Sequence, residues 1–148
     1  MSKVLIVSPK NKGNTYKVAS YLKENSDVSL YIIDSGVEFD ISKYEHIILC
    51  SGVYGDKIHG LLFKWIKSID KKKIKESAKF HLYLTWFGRG KSDEHAMEQV
   101  ANILKEKGLN FDRNYGLCFG GGMFIIRRGH PNSEDMEKAL EWMKEQVS

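Results

Sequence analysis

Val4-Leu5-Ile6-Val7-Ser8-Pro9-Lys10-Asn11-Lys12-Gly13-Asn14-Thr15 is the stretch on which the reading of this chain turns. Its first four residues are apolar and mostly β-branched, which predicts a buried strand. Ser8–Thr15 is then a turn, and Tyr16-Lys17-Val18-Ala19-Ser20-Tyr21-Leu22-Lys23 follows as a helix-like stretch. A strand feeding a helix N-terminus through a Ser/Asn/Gly/Thr turn suits a phosphate. Free backbone N–H groups point outward there, and the helix dipole favours negative charge. The hydroxyls of Ser8 and Thr15 and the side-chain amides of Asn11 and Asn14 add donors. The same residues equally suit an ordinary βα turn in which Asn14 or Thr15 caps the helix.

At 148 residues, with 42% hydrophobic and 28% charged, the chain has the size and balance of one soluble domain spanning residues 1–148. No apolar run approaches the roughly 18–20 residues that span a bilayer. The first strand begins at once, with no secretory leader ahead of it. The expectation is a cytoplasmic monomer with no membrane association. Net charge is +4, much of it in Lys71-Lys72-Lys73-Ile74-Lys75. That run reads as a solvated connection between a helix and the next strand. So mild a balance, without aromatic–basic interleaving, argues against nucleic acid as a partner. Cys50 and Cys118 each sit in an apolar, strand-like run and read as buried small hydrophobes. There is no CxxC and no Cys/His spacing for a metal.

Apolar runs alternate with amphipathic stretches along the whole chain. Strands are expected at about 3–8, 28–34, 46–51, 79–85 and within 111–119. Helices are expected at about 14–25, 61–69, 93–107 and 133–146, the last with Ser133 as N-cap. Met123-Phe124-Ile125-Ile126, after the Gly120-Gly121-Gly122 break, either extends the fifth strand or forms a separate piece. Near-continuous apolar strands are buried on both faces, so the sheet is parallel and covered by helices. Right-handed crossovers restrict the layout to an α/β doubly wound three-layer sandwich, and the order expected for its five-stranded parallel sheet is 2-1-3-4-5.

In open sheets of this kind, ligands lie beyond the carboxyl ends of the strands, where the order reverses. Strands one, three and four are neighbours in that order, so their loops meet. The first is the Ser8–Thr15 turn. The second, Gly52-Val53-Tyr54-Gly55-Asp56, places an aromatic between glycines. The third, Trp86-Phe87-Gly88-Arg89-Gly90, offers two aromatics. A phosphate cradle beside aromatic loops suits a planar ring system with one phosphate, the shape of flavin mononucleotide (FMN). Each residue also has a plainer reading. Tyr54 can cover the following helix, Trp86 can belong to the core, Asp56 can cap the next helix, and His59 can be a solvated loop histidine.

With these three loops the chain resembles a flavodoxin, the small FMN-binding electron carrier, over nearly its whole length. Ser8 and Gly13-Asn14-Thr15 match the ends of that family's Ser/Thr-x-Thr-Gly-x-Thr phosphate loop, with Pro9-Lys10-Asn11-Lys12 replacing a shorter middle. The loop is also similar to the Gly-Ser-x-x-x-x-Gly-Asn-Thr turn of flavodoxin-like reductases, without its leading glycine. Ser51-Gly52-Val53-Tyr54-Gly55-Asp56 stands where the family often reads Ser-Thr-Trp-Gly-Asp, and Gly88-Arg89-Gly90-Lys91-Ser92 fits its Gly-x-Gly-Asp-Ser frame. Two departures stand out. Asp93, Glu94 and His95 replace the tyrosine expected after Ser92, and Arg89 and Lys91 occupy a neighbourhood that flavodoxins usually make acidic.

The resemblance implies one-electron transfer by bound FMN, between a reductase and an acceptor protein that the sequence does not name. Ser8, Asn11, Gly13, Asn14 and Thr15 would hold the phosphate, and Lys10 and Lys12 of the same loop would also belong to the cofactor site. Tyr54 would stack on the ring. Ser51, Gly52, Val53, Gly55, Asp56, Trp86, Phe87, Gly88, Arg89 and Gly90 would surround its edge. No side chain need act as a nucleophile or general acid, and no metal is required. The alternative is an FMN-dependent NAD(P)H reductase of quinones, flavins or nitro compounds. A receiver-like domain is disfavoured because Ser8-Pro9-Lys10, not clustered acids, follow strand one. A dinucleotide-binding domain is disfavoured by the missing Gly-x-Gly-x-x-Gly turn.

Overall fold

The computed structural model describes residues 3–121 and 129–148. Residues 123–126, whose place after the fifth strand was left open, lie outside that range. Strand β1 (Val4–Ser8) is buried along its length and pairs in parallel with β2 (Ser29–Ile32) on one side and β3 (His46–Gly52) on the other. β4 (Lys79–Trp86) lies beyond β3, again in parallel, with Leu49 opposite Leu82 and Gly52 opposite Thr85. The order is therefore 2-1-3-4, followed by the edge.

The edge departs from the expected single strand. β5 (Asn110–Phe111) pairs with Lys79 and Phe80, and β6 (Gly116–Phe119) pairs with Tyr83–Trp86. The two occupy one lane of the sheet and are parted at Asp112–Tyr115. There Asn114 N–H donates to the Asp112 carboxylate and Tyr115 O–H donates to Asp93. Local side-chain acceptors offer the backbone an alternative to the ladder, and the strand breaks. Gly116 has a reason of its own: a Cβ there would run into the Tyr83 ring and lie 2.9 Å from Trp142 Cδ2.

Helices cover both faces, because alternate strand residues are apolar on both. Leu5, Leu49, Leu82 and Leu84 pack beneath α2 (Gly60–Ser68) and α3 (Ser92–Glu106) through Leu62, Ile66, Val100 and Leu104. Ile6, Ile48, Cys50 and Tyr83 pack beneath α1 (Gly13–Glu24) and α4 (Ser133–Val147) through Val18, Leu22, Ala139 and Met143. Each such side chain contributes about 1.5–3 kcal/mol on burial. Both cysteines are free and buried in the second layer. Burial lifts the Cys50 thiol to about 12 and the Cys118 thiol to about 11. The cap of α4 is Asn132 rather than Ser133: its side chain accepts from Asp135 N–H, while the Asp135 carboxylate accepts from Asn132 N–H. That reciprocal pair satisfies two groups where a serine cap would satisfy one. Among the described residues no helix is long and apolar enough to cross a membrane.

At the opposite end of β4 from Trp86, His81 is wholly buried. Its Nε2 lies 3.0 Å from His46 Nδ1, and its Nδ1 faces Asp112 at 4.0 Å without a hydrogen-bond partner. Burial first, and then the neighbouring His46, push the His81 pKa down to about 4 against the opposing pull of Asp112. The unfolded chain protonates at this residue near pH 6.5. As pH falls from about 7 towards 4 the unfolded state therefore takes up the proton first and stability drops. Thermal unfolding followed from pH 7.5 to 4.5 should show a falling Tm, with a shallower slope in His81→Leu whatever that variant's stability at pH 7.5.

Candidate functional site

The first loop is set by what it does with its own polar groups. Ser8 is buried and its hydroxyl donates to the Lys10 carbonyl at 3.0 Å, closing the turn on itself. The Pro9 carbonyl accepts from Asp34 N–H, which ties the turn to the end of β2. α1 begins at Gly13, whose φ of 88° suits a residue without Cβ. The residue before it, Lys12, is the N-cap; among the described residues no side chain accepts from the first turn, and that turn holds no acid. Neither Asn14 nor Thr15 caps the helix. The Asn14 amide donates instead to Gly121 O at 2.6 Å, and Thr15 Oγ1 lies 3.2 Å from Thr85 Oγ1. Two side chains expected to meet a phosphate therefore tie loops together, while the backbone donors of the first turn have no side-chain acceptor among the described residues.

In the second loop, Tyr54 and Lys57 exchange backbone hydrogen bonds across a tight hairpin. Gly55 and Asp56 sit at its tip with φ of 53° and 69°, both left-handed, as in a type I′ turn. Asp56 does not cap α2. His59 does, its Nδ1 accepting from Leu61 N–H at 3.1 Å, so the neutral ring carries its proton on Nε2. Burial and then Lys10 lower the His59 pKa, against the pull of Asp34. Ser51 is wholly buried below; its hydroxyl accepts from His59 N–H and donates to Gly52 O. Tyr54 is 57% exposed and meets the His59 ring edge-on at 5.5 Å. It also leans across Gly52, where a Cβ would come within 2.8 Å of its hydroxyl.

The third loop leaves β4 at Trp86, which is half-buried and stacked on Phe119 with centroids 6.3 Å apart and planes 11° from parallel. It belongs to the wall of the site and to neither layer of the core. Gly88 and Gly90 turn the chain with φ of 83° and 54°.

All three loops line one cavity, and the second and third also line another beside it. The first, about 390 Å³, is lined by Ser8, Pro9, Lys10, Lys12, Gly13, Asn14, Thr15, Gly52, Val53, Tyr54, His59, Thr85, Trp86, Phe87 and Gly120. The second, about 670 Å³, is lined by Val53, Tyr54, Gly55, Asp56, Trp86, Phe87, Arg89, Gly90, Lys91 and Ser92. Val53, Tyr54, Trp86 and Phe87 belong to both, so the two spaces are neighbours that share a wall. Of the residues named from sequence, Asn11, Ser51 and Gly88 line neither: Asn11 is exposed, Ser51 buttresses the second loop from below, and Gly88 shapes the third. Sequence reading missed Thr85, whose signal was a polar residue ending an apolar strand. It also missed Gly120, brought in because its N–H donates to Trp86 O. Among the described residues no cluster of His, Cys, Asp or Glu could hold a metal ion.

A family model described as Flavodoxin domain matches residues 5–124. The chain belongs to the flavodoxin family. An uncharacterized protein of Methanocaldococcus jannaschii is 30% identical over 141 residues, 88% of each chain. Among solved structures, oxidised flavodoxin 1 of Bacillus cereus superposes with a TM-score of 0.68 at 20% identity, over 99% of this chain and 97% of that one. A flavodoxin, WrbA-like protein of Agrobacterium tumefaciens gives a TM-score of 0.72 at 14% identity, over 96% and 92%. Fusobacterium nucleatum flavodoxin bound to flavin mononucleotide gives 0.65 at 15% identity, over 99% and 98%. At such identities these structures speak for the flavodoxin fold alone, and the polar details above belong to this chain.

Replacing Ser51 by alanine strips a buried acceptor from His59 N–H and a donor from Gly52 O, at about 1–3 kcal/mol. Urea denaturation of Ser51→Ala should show that loss with an unchanged m-value.

Proposed function

We propose that this protein binds FMN in the neighbouring cavities and passes single electrons between a reductase and an acceptor protein. The observation that carries the reading is the open N-terminus of α1. Among the described residues its first turn has neither a capping side chain nor an acid, and it faces the cavity that Tyr54 and Trp86 also line. The donor set fits a phosphate. Backbone N–H groups at a helix start supply directed donors, Lys10 and Lys12 supply charge, and no carboxylate lines that cavity among the described residues. The aromatic set fits a flat ring, for Tyr54 is a largely exposed face on the wall that the two spaces share.

Bound FMN would supply the redox chemistry, accepting and releasing electrons one at a time. The chain's own residues do the rest. Gly13, Asn14 and Thr15 hold the phosphate through their N–H groups. Tyr54 would stack on the ring, and Phe87 would wall it from the third loop. Gly55 lets the peptide it shares with Asp56 rotate at low cost, so the hairpin can turn either a carbonyl or an N–H towards the cofactor. His59, its Nδ1 committed to Leu61, can offer only an Nε2–H donor while neutral.

Purified protein should be yellow, or become so on adding FMN. Fluorescence titration should show Lys12→Glu binding FMN at least about tenfold more weakly, equivalent to about 1.4 kcal/mol. A chain that takes up no FMN overturns the proposal. Anaerobic mixing with NADPH separates the carrier from the reductase: persistent colour supports the carrier, and immediate bleaching supports the NAD(P)H reductase.

A further inference from the structure

The charged residues that line the site are mostly cations. Lys10, Lys12, Arg89 and Lys91 line the two cavities, and Asp56 is the one carboxylate that lines them among the described residues. Asp56 in turn lies 3.4 Å from His95 Nδ1. Lys57 lines neither cavity but is exposed on the same hairpin, paired with Tyr54 through the backbone, and is a further cation of the second loop. The charges divide between the two ends of the site. A phosphate monoester carries close to two negative charges, so at the α1 end a bound phosphate would offset Lys10 and Lys12. It does not reach the other end. Lys57, Arg89 and Lys91 remain there against Asp56 and the exposed Glu94, around the aromatic face that Tyr54 exposes. The edge of the site open to a partner thus stays positive with cofactor bound.

We propose that this rim is the docking surface for an acidic redox protein, whose carboxylates seat against Lys57, Arg89 and Lys91 beside Tyr54. The inference rests on the FMN reading and goes on to name the partner's charge. Like charges face to face slow encounter and opposite charges steer it, and the effect fades as salt shortens the screening length to about 8 Å. The potential at the rim is therefore legible in the salt dependence of electron transfer, without knowing the natural partner.

The test uses FMN-loaded protein, reduced with dithionite and freed of excess reductant, and two oxidants that differ in charge. One is native cytochrome c, which is basic; the other is succinylated cytochrome c, which carries the same haem and is acidic. In each reaction the protein gives one electron to a ferric haem, which becomes ferrous. The succinylated form should react about fivefold or more faster at low salt, and slow as salt rises to 0.2 M, while the native form speeds up. With Lys57→Glu and Lys91→Glu combined, both exposed changes, the two salt slopes should exchange signs. Native cytochrome c reacting faster at low salt, or slopes unmoved by the charge reversal, overturns the docking proposal and leaves FMN binding intact. Failure to load FMN overturns the functional reading itself.

Discussion

The carboxyl end of β4 holds the site together. Thr85 shares a hydrogen bond with Thr15 at the start of α1, and its carbonyl accepts from Val53 N–H in the second loop. One residue later the Trp86 carbonyl accepts from Gly120 N–H. Three segments far apart in sequence are fastened within two residues of one strand end, and that strand is rigid because Phe80–Thr85 is buried throughout. Loops carry function best when a scaffold fixes their bases. Here the fixing is done by polar side chains and carbonyls that would otherwise be free for a ligand.

That division of labour explains the character of the cavity. Ser8, Asn14 and Thr15 use their side chains inside the protein, so what faces an anion is mostly backbone N–H and lysine charge. Backbone donors at a helix start need no rotamer to be frozen, so a ligand meeting them costs little ordering. The aromatic wall is built differently. There Tyr54 and Trp86 supply flat surface, while Ser51, buried, and His59, capping α2, hold the hairpin's base from below.

Much of this was legible from residue order. Alternating apolar runs placed β1, β3 and β4, and the strand order brought their loops to one rim. Where sequence reading fell short, local hydrogen bonding decided. The fifth strand divides because Asp112 and Tyr115 spend their groups locally or on α3, which no hydropathy pattern reveals. Asn132 outcompetes Ser133 as cap because Asp135 stands three residues on to reciprocate. Asn14 and Thr15 were readable as polar residues near a helix start. Their true partners, Gly121 and Thr85, are 107 and 70 residues away, and nothing local could assign them.

The placement of the thiols has a consequence for a chain that would handle electrons. Cys50 is on β3 and Cys118 on β6, with β4 between them. Two strand spacings put their backbones roughly 9–10 Å apart or more, beyond the reach of a disulfide. Both sulfurs are also held protonated by burial and so are poor nucleophiles. The interior therefore offers reducing equivalents no sulfur couple in which to be stored or lost, and the oxidation state of the protein is left to whatever occupies the rim.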